Sequence, residues 1–284
     1  MTTNAFTKRV FHLALCMATA MLACGCTGRR IVADDLAAAA AFTKSTVRGT
    51  EFTHVAYSAD GGGAQSPVWV YIEGDGVPWI DETMPSRDPT PRALVALGLM
   101  AKGPRPAVYL GRPCYFGTSR DPPCEAVWWT HRRFGAEVGA SMTAALRRLV
   151  DDKGWHGRTI NLVGFSGGGT LATLMAPRLE GVCVLVSVAS PLDIDEWTAG
   201  RGFSPLVGSE NPARLPPIDS SVRQLHLRGE KDRIMPPDNG TEFRRRNPVA
   251  VFRVIEDVDH GAGWVAIWER MHLKGTDAVL RSCN

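Results

Sequence analysis

Thr159-Ile160-Asn161-Leu162-Val163-Gly164-Phe165-Ser166-Gly167-Gly168-Gly169-Thr170-Leu171-Ala172-Thr173-Leu174-Met175-Ala176 decides the architecture. Its first part is a short apolar, β-branched run of the kind that forms a buried strand, and its last part is rich in the leucine, alanine and methionine that favour helix. Between them a serine is flanked at minus two and plus two by glycine. A strand that turns directly into a helix needs so tight a bend that a Cβ at either glycine would clash, and the serine at the apex is forced into a strained backbone conformation. That geometry lifts the Ser166 hydroxyl clear of the sheet as a candidate nucleophile. The alternative is a glycine-rich loop with a spectator serine, so the rest of the chain has to supply the context.

A serine hydroxyl is a weak nucleophile at neutral pH and requires a base, which in turn requires an acid to orient it. Of the seven histidines, His260 stands on a polar, glycine-containing loop, Glu256-Asp257-Val258-Asp259-His260-Gly261-Ala262-Gly263, between the last strand-like and the last helix-like segment. The acid belongs on a loop after a strand lying between Ser166 and His260. Asp232 qualifies, four residues past the short run Leu225-His226-Leu227-Arg228, with Asp193, Asp195 and Asp238 as rivals. Read in isolation, Asp232 would be an exposed aspartate paired with Lys231 or Arg233. An oxyanion formed at an acyl carbon needs preorganised N–H donors. Gly167, next to the serine, supplies one, and Asp75 in Glu73-Gly74-Asp75-Gly76, after the strand Val68–Ile72, supplies the second by position.

Strand-like runs at 51–57, 68–72, 107–110, 159–165, 182–188, 225–228 and 250–255 alternate with helical patterns near 91–101, 134–152, 168–179, 239–246 and 264–274. This implies a mostly parallel central sheet covered by helices on both faces. Two stretches dense in Pro, Gly and Asp, about 74–90 and 189–220, interrupt the alternation after strand ends, where open α/β sheets bind ligands. They are candidates for a lid or substrate wall.

With 284 residues and 44% hydrophobic composition, the chain suits one α/β domain with insertions. Residues 1–26 read as a signal peptide, with Lys8 and Arg9 before the apolar stretch Val10–Ala23. Residues 27–48 read as a tether containing at most one short helix, and 49–284 as the single domain. The net charge of +3 falls to +1 once Lys8 and Arg9 leave with the leader, which gives no footprint for nucleic acid. Export permits disulfides, and Cys114 and Cys124, ten positions apart in a Pro- and Gly-rich stretch, are expected to be bridged. Cys183, inside an apolar run, is expected to be a buried thiol. No cysteine or histidine spacing matches a zinc site.

Several stretches together resemble the α/β-hydrolase family, and more narrowly exported bacterial lipoproteins of that fold with no settled substrate. They are Tyr71-Ile72-Glu73-Gly74-Asp75-Gly76, Asp88-Pro89-Thr90-Pro91-Arg92, Gly111-Arg112-Pro113-Cys114, Trp129-Thr130 with Arg133-Phe134, the serine turn, and Asn211-Pro212. The order Ser166, Asp232, His260 is the order of that family. Met21-Leu22-Ala23-Cys24-Gly25-Cys26 resembles a lipobox and implies a lipidated N-terminus, with Cys24 preferred over Cys26 and ordinary cleavage as the alternative. The resemblance implies an envelope-located serine hydrolase, esterase- or lipase-like, acting on a small-molecule or lipid acyl substrate and needing neither metal nor organic cofactor. The same three groups would serve an acyltransferase or a serine peptidase, and the same scaffold a non-catalytic binding lipoprotein. One departure stands out. Many members carry His-Gly where Glu73-Gly74 stands here, and an Asp75 carboxylate facing a developing oxyanion would repel it unless paired, with Arg92 or Arg112 as candidate partners.

Overall fold

Alternation along β3 (Val68–Ile72) shows how the core divides. Val68, Val70 and Ile72 belong to one apolar layer, and Trp69 and Tyr71 to the other, on opposite faces of the same strand. All five are buried, as a strand in the middle of a two-sided sheet requires. The computed structural model describes residues 32–273 and 277–280.

Eight strands form one sheet in the order β1-β2-β4-β3-β5-β6-β7-β8. They are β1 (Thr43–Arg48), β2 (Thr53–Ala59), β3, β4 (Ala107–Leu110), β5 (Ile160–Phe165), β6 (Val182–Val188), β7 (Arg223–Gly229) and β8 (Val251–Ile255). β2 is antiparallel to both β1 and β4, and every other pairing is parallel. The C-terminal ends of β3, β5, β6, β7 and β8 therefore share one edge.

The helices are α1 (residues 32–39), α2 (Val95–Lys102), α3 (Ala136–Asp152), α4 (Gly167–Met175), α5 (Ile194–Arg201), α6 (Thr241–Arg246) and α7 (Trp264–Leu273). One core layer joins Ala33 and Ala37 of α1, Leu97 and Met100 of α2, and Trp264, Ile267 and Trp268 of α7 to the sheet. The other joins Met142, Leu146 and Leu149 of α3 and Leu171 and Leu174 of α4. α3 presents Val138, Met142, Ala145, Leu146 and Leu149 at helical spacing, so its buried stripe follows from sequence alone.

The structure departs from the sequence reading in three places. Residues 32–48 are not a tether: α1 packs its small Ala33 and Ala37 faces into the core, and β1 is the sheet edge, so the strand predicted at 51–57 lies second in the order. α1 is short and its core side is small, Ala33, Leu36 and Ala37, so its signal is weak, and Thr43-Lys44-Ser45-Thr46-Val47-Arg48 reads as polar because an edge strand is largely exposed. The 189–220 stretch contains α5, whose Asp193 side chain accepts from the Asp195 and Glu196 N–H groups at its start and whose end is the left-handed Gly202. Cys183 is buried as expected, but it is disulfide-bonded rather than a thiol. Cys24 and Cys26, and with them the leader and lipidation expectations, lie outside the described residues.

Candidate active site

Ser166 sits where β5 becomes α4, with φ 50° and ψ −128°, a region that non-glycine residues occupy at a cost. Its N–H donates to Val188 O at 2.7 Å, tying the turn to the end of β6. The flanking glycines are required by contact: a Cβ on Gly164 would lie 2.2 Å from Gly168 O, and one on Gly168 would lie 2.2 Å from Ile72 O.

The loops after β7 and β8 bring the other two side chains to this edge. His260 Nε2 lies 3.1 Å from Ser166 Oγ, and its Nδ1 lies 2.8 Å from Asp232 Oδ2. With Nδ1–H donating to the carboxylate, the Nε2 lone pair is left to accept the serine proton. Asp232 is held as acceptor by its other oxygen, which takes N–H donations from Ile234 at 2.9 Å and Met235 at 2.7 Å. The Asp232 side chain is fully buried, and that of His260 keeps 17% of its surface open to solvent. Asp259 Oδ1 accepts from the Gly261 and Ala262 N–H groups, and the Trp264 indole N–H donates to His260 O, so the histidine loop is fixed from both sides.

The rivals are accounted for. Asp193 caps α5 and accepts from Asn211 Nδ2 at 2.8 Å, Asp195 pairs with Arg214, and Asp238 is exposed. Lys231 pairs with Asp257 instead of Asp232. Two further serine–histidine hydrogen bonds occur among the described residues, Ser141 with His54 at 2.9 Å and Ser187 with His226 at 2.7 Å. Both histidines are fully buried. Desolvation holds the His54 imidazole down at about 4 and His226 well below its ordinary value, so both remain neutral structural groups. Ser166–His260 is the pair that combines a carboxylate with access to solvent.

The Glu73–Gly76 loop overhangs the serine: a Cβ on Gly74 would lie 3.2 Å from Ser166 Cβ. The Gly74 N–H is taken by Glu73 Oε1 at 3.2 Å. The Glu73 carboxyl also accepts from Ala96 N–H at the start of α2, and burial pushes it up to about 7 against those hydrogen bonds. Among the described residues the Asp75 N–H makes no hydrogen bond.

The Asp75 carboxylate does not face the site alone. It pairs with Arg112, as one of the two expected partners, and with Arg133 at 2.7 Å, which sequence reasoning did not connect to it; Arg92 is exposed. Burial works to raise this carboxyl, and the two guanidiniums more than offset it, holding it below the usual carboxylate range. Tyr115 Oη donates to Asp75 O at 2.8 Å. Tyr115 follows Cys114, whose Sγ is bonded to that of Cys124 with a Cα–Cα separation of 5.6 Å. The signal for Arg133 lay in its setting, a charged residue in the aromatic stretch Val127-Trp128-Trp129-Thr130-His131-Arg132-Arg133-Phe134, where burial demands a partner.

Both insertions flank this edge. Trp79 stacks edge-on to His131, and Trp197 donates to Ile234 O at 3.0 Å, two residues from Asp232. Leu192 and Leu206 turn inward, while Ile80, Met84, Phe203, Val207 and Ile234 are exposed.

No family model matches the chain, and no curated protein matches it. Among solved structures it is similar to an esterase from Pyrococcus furiosus, with TM-score 0.56 and 16% identity over 83% of this chain and 91% of that one. It is also similar to an acylaminoacyl peptidase from Pyrococcus horikoshii, with TM-score 0.58 and 15% identity over 82% of this chain, which spans only 40% of the peptidase. A membrane phospholipase A, described as a bacterial virulence factor, aligns with TM-score 0.53 and 16% identity over 97% of this chain and all of that one. The strand order, the serine turn between β5 and α4, and these likenesses agree: the chain has the α/β-hydrolase fold.

Proposed function

We propose that the protein is a serine hydrolase acting on an ester or related acyl substrate through Ser166, His260 and Asp232. The observation that carries this reading is the hydrogen-bonded line from Asp232 Oδ2 through His260 to Ser166 Oγ, with His260 partly open to solvent. Ser166 Oγ attacks the acyl carbon while its proton passes to His260 Nε2, and the carbonyl π pair moves onto oxygen. The Gly167 and Asp75 N–H groups receive that charge. Collapse expels the leaving group, which takes the proton from His260. Water then repeats the sequence on the acyl-enzyme, giving the free acid and restoring Ser166. Asp232 stays ionised throughout and holds the imidazole in its tautomer. The structural neighbours include an esterase, a peptidase and a phospholipase, and the reading commits to the acyl carbonyl their substrates share.

We further propose that the enzyme is exported and works at the cell envelope, anchored through a lipidated Cys24 or Cys26. None of the described helices is long and apolar enough to cross a membrane, so anchoring would rest on the N-terminal residues. Labelling with a palmitate analogue tests this, and a mature chain without label removes the anchor.

Catalysis is tested by labelling with a fluorophosphonate and locating the adduct by mass spectrometry. The adduct is expected on Ser166, with labelling lost in Ser166→Ala; labelling that persists in that variant rejects the nucleophile.

A further inference from the structure

The Asp75 carboxylate is bracketed by two cations, one more than neutralisation needs. The side chains of Arg112 and Arg133 are 1% and 6% exposed, and that of Asp75 is 15% exposed. Both guanidiniums are further fixed by main-chain carbonyls, Arg112 Nη2 donating to Arg133 O at 3.1 Å and Arg133 Nε to Thr130 O at 2.7 Å. The cluster reaches the residue after the nucleophile as well. A Cβ on Gly167 would lie 1.9 Å from Asp75 Oδ1 and 3.1 Å from Arg112 Nη1. The two guanidiniums and the carboxylate between them are thus buried against the backbone of both N–H donors, with the buried Glu73 and Asp88 carboxyls nearby. Burying the second guanidinium costs folding free energy, and a loop staple alone would be served by a single pair. The cost is offset where negative charge develops next to it, which is where the carbonyl oxygen becomes an oxyanion.

We propose that Arg112, Arg133 and Tyr115 are positioning residues for acyl transfer, an inference that rests on the serine hydrolase reading. Tyr115 donates to the Asp75 carbonyl and fixes the peptide that follows the residue, and the two arginines fix its carboxylate, so that the loop bearing the N–H is held from both its main chain and its side chain and the carboxylate is kept neutralised beside the developing oxyanion. The glycine at 167 is kept because the cluster occupies the space a side chain would need. The Glu73-Gly74-Asp75-Gly76 loop, Gly111-Arg112-Pro113-Cys114 and the Arg133 segment, far apart in sequence, are on this account one device.

The test is the saturation kinetics of fluorophosphonate labelling at Ser166, separating the maximal rate kinact from the half-saturating concentration KI, in wild type, Arg133→Gln, Arg133→Lys and Tyr115→Phe. Arg133→Gln is expected to lower kinact roughly 10- to 100-fold with KI changed less than about twofold, because the lost charge acts on the developing oxyanion and not on the bound reagent. Arg133→Lys keeps the charge beside Asp75 but gives up the Nε donation to Thr130 O, and is expected to be clearly faster than Arg133→Gln though slower than wild type. Tyr115→Phe, an isosteric change, is expected to lower kinact about 3- to 10-fold. A wild-type kinact in Arg133→Gln, or an Arg133→Lys as slow as Arg133→Gln, overturns the proposal. Should Arg133→Gln not fold, Tyr115→Phe decides, and a wild-type kinact there overturns it. Wild-type protein whose Ser166 is never labelled removes the hydrolase reading itself, whereas labelled wild type with unaffected variants removes only the role of the cluster.

Discussion

The serine turn and the loop that overhangs it are equally well placed, yet they are held in opposite ways. The turn is made from five consecutive residues: Gly164 and Gly168 permit the approach, and the Ser166 N–H closes on the neighbouring strand at Val188 O. The Glu73–Gly76 loop is held by Arg112, Tyr115 and Arg133, which reach it from 37 to 58 positions away. The glycine requirement is written in one short stretch of sequence, although only Gly164 avoids the turn's own backbone, whereas Gly168 makes room for Ile72 O of β3. A feature that depends on charge and hydrogen bonds can draw its partners from anywhere the fold brings close.

The sharpest way to break this contrast is to damage the catalytic line without touching either support. Asp232→Asn keeps the shape and the acceptor for the Ile234 and Met235 N–H groups, but presents an amide where His260 needs an acceptor. It is expected to slow fluorophosphonate labelling roughly 10³- to 10⁴-fold with a nearly unchanged Tm, as the loss of the correct tautomer would dictate. A rate within tenfold of wild type would remove Asp232 from the proposed triad.

The next largest effect belongs to the remote support. Replacing Cys114 and Cys124 by serine opens a loop of about ten residues, which the chain-entropy argument values at about 2.7 kcal/mol. Denaturant unfolding under oxidising conditions measures it. Because Tyr115 adjoins the bridge, the double variant is also expected to label more slowly, whereas the serine turn, which shares no contact with the bridge, would leave the rate unchanged if it alone set reactivity.

The smallest effect is a pH dependence in the same support. His54 Nδ1 lies 2.9 Å from Gly111 O, the carbonyl just before Arg112, and the folded protein keeps this imidazole neutral down to about 4, against about 6.5 when unfolded. A depressed folded value means that its contribution is complete above 6.5 and is lost as pH falls towards 4, because only the unfolded chain takes up the proton in that window. Between pH 7 and pH 5 wild type is expected to lose about 2 kcal/mol more stability than His54→Gln. Denaturant curves at the two pH values check this, and parallel losses would exclude His54 as the source.

The chain announced a good deal of this by itself. The run 159–176 specified the turn, and the loop positions of Asp232 and His260 specified the catalytic candidates, because strand ends of a parallel sheet share an edge and the order of elements says which loops meet there. It allowed one short helix where α1 stands but did not place it in the core, and it did not reveal β1, whose edge-strand polarity carries no periodic signal, nor α5, although Asp193 and Glu196 are spaced as a helix start requires. Above all it could not give the charge balance at the Glu73–Gly76 loop. Read in sequence, Asp75 is a repulsive carboxylate; in the fold it lies between two guanidiniums that neutralise it. Local sterics and element order are properties of the chain, whereas a buried electrostatic balance exists only after distant residues have been brought together and water has been removed from between them.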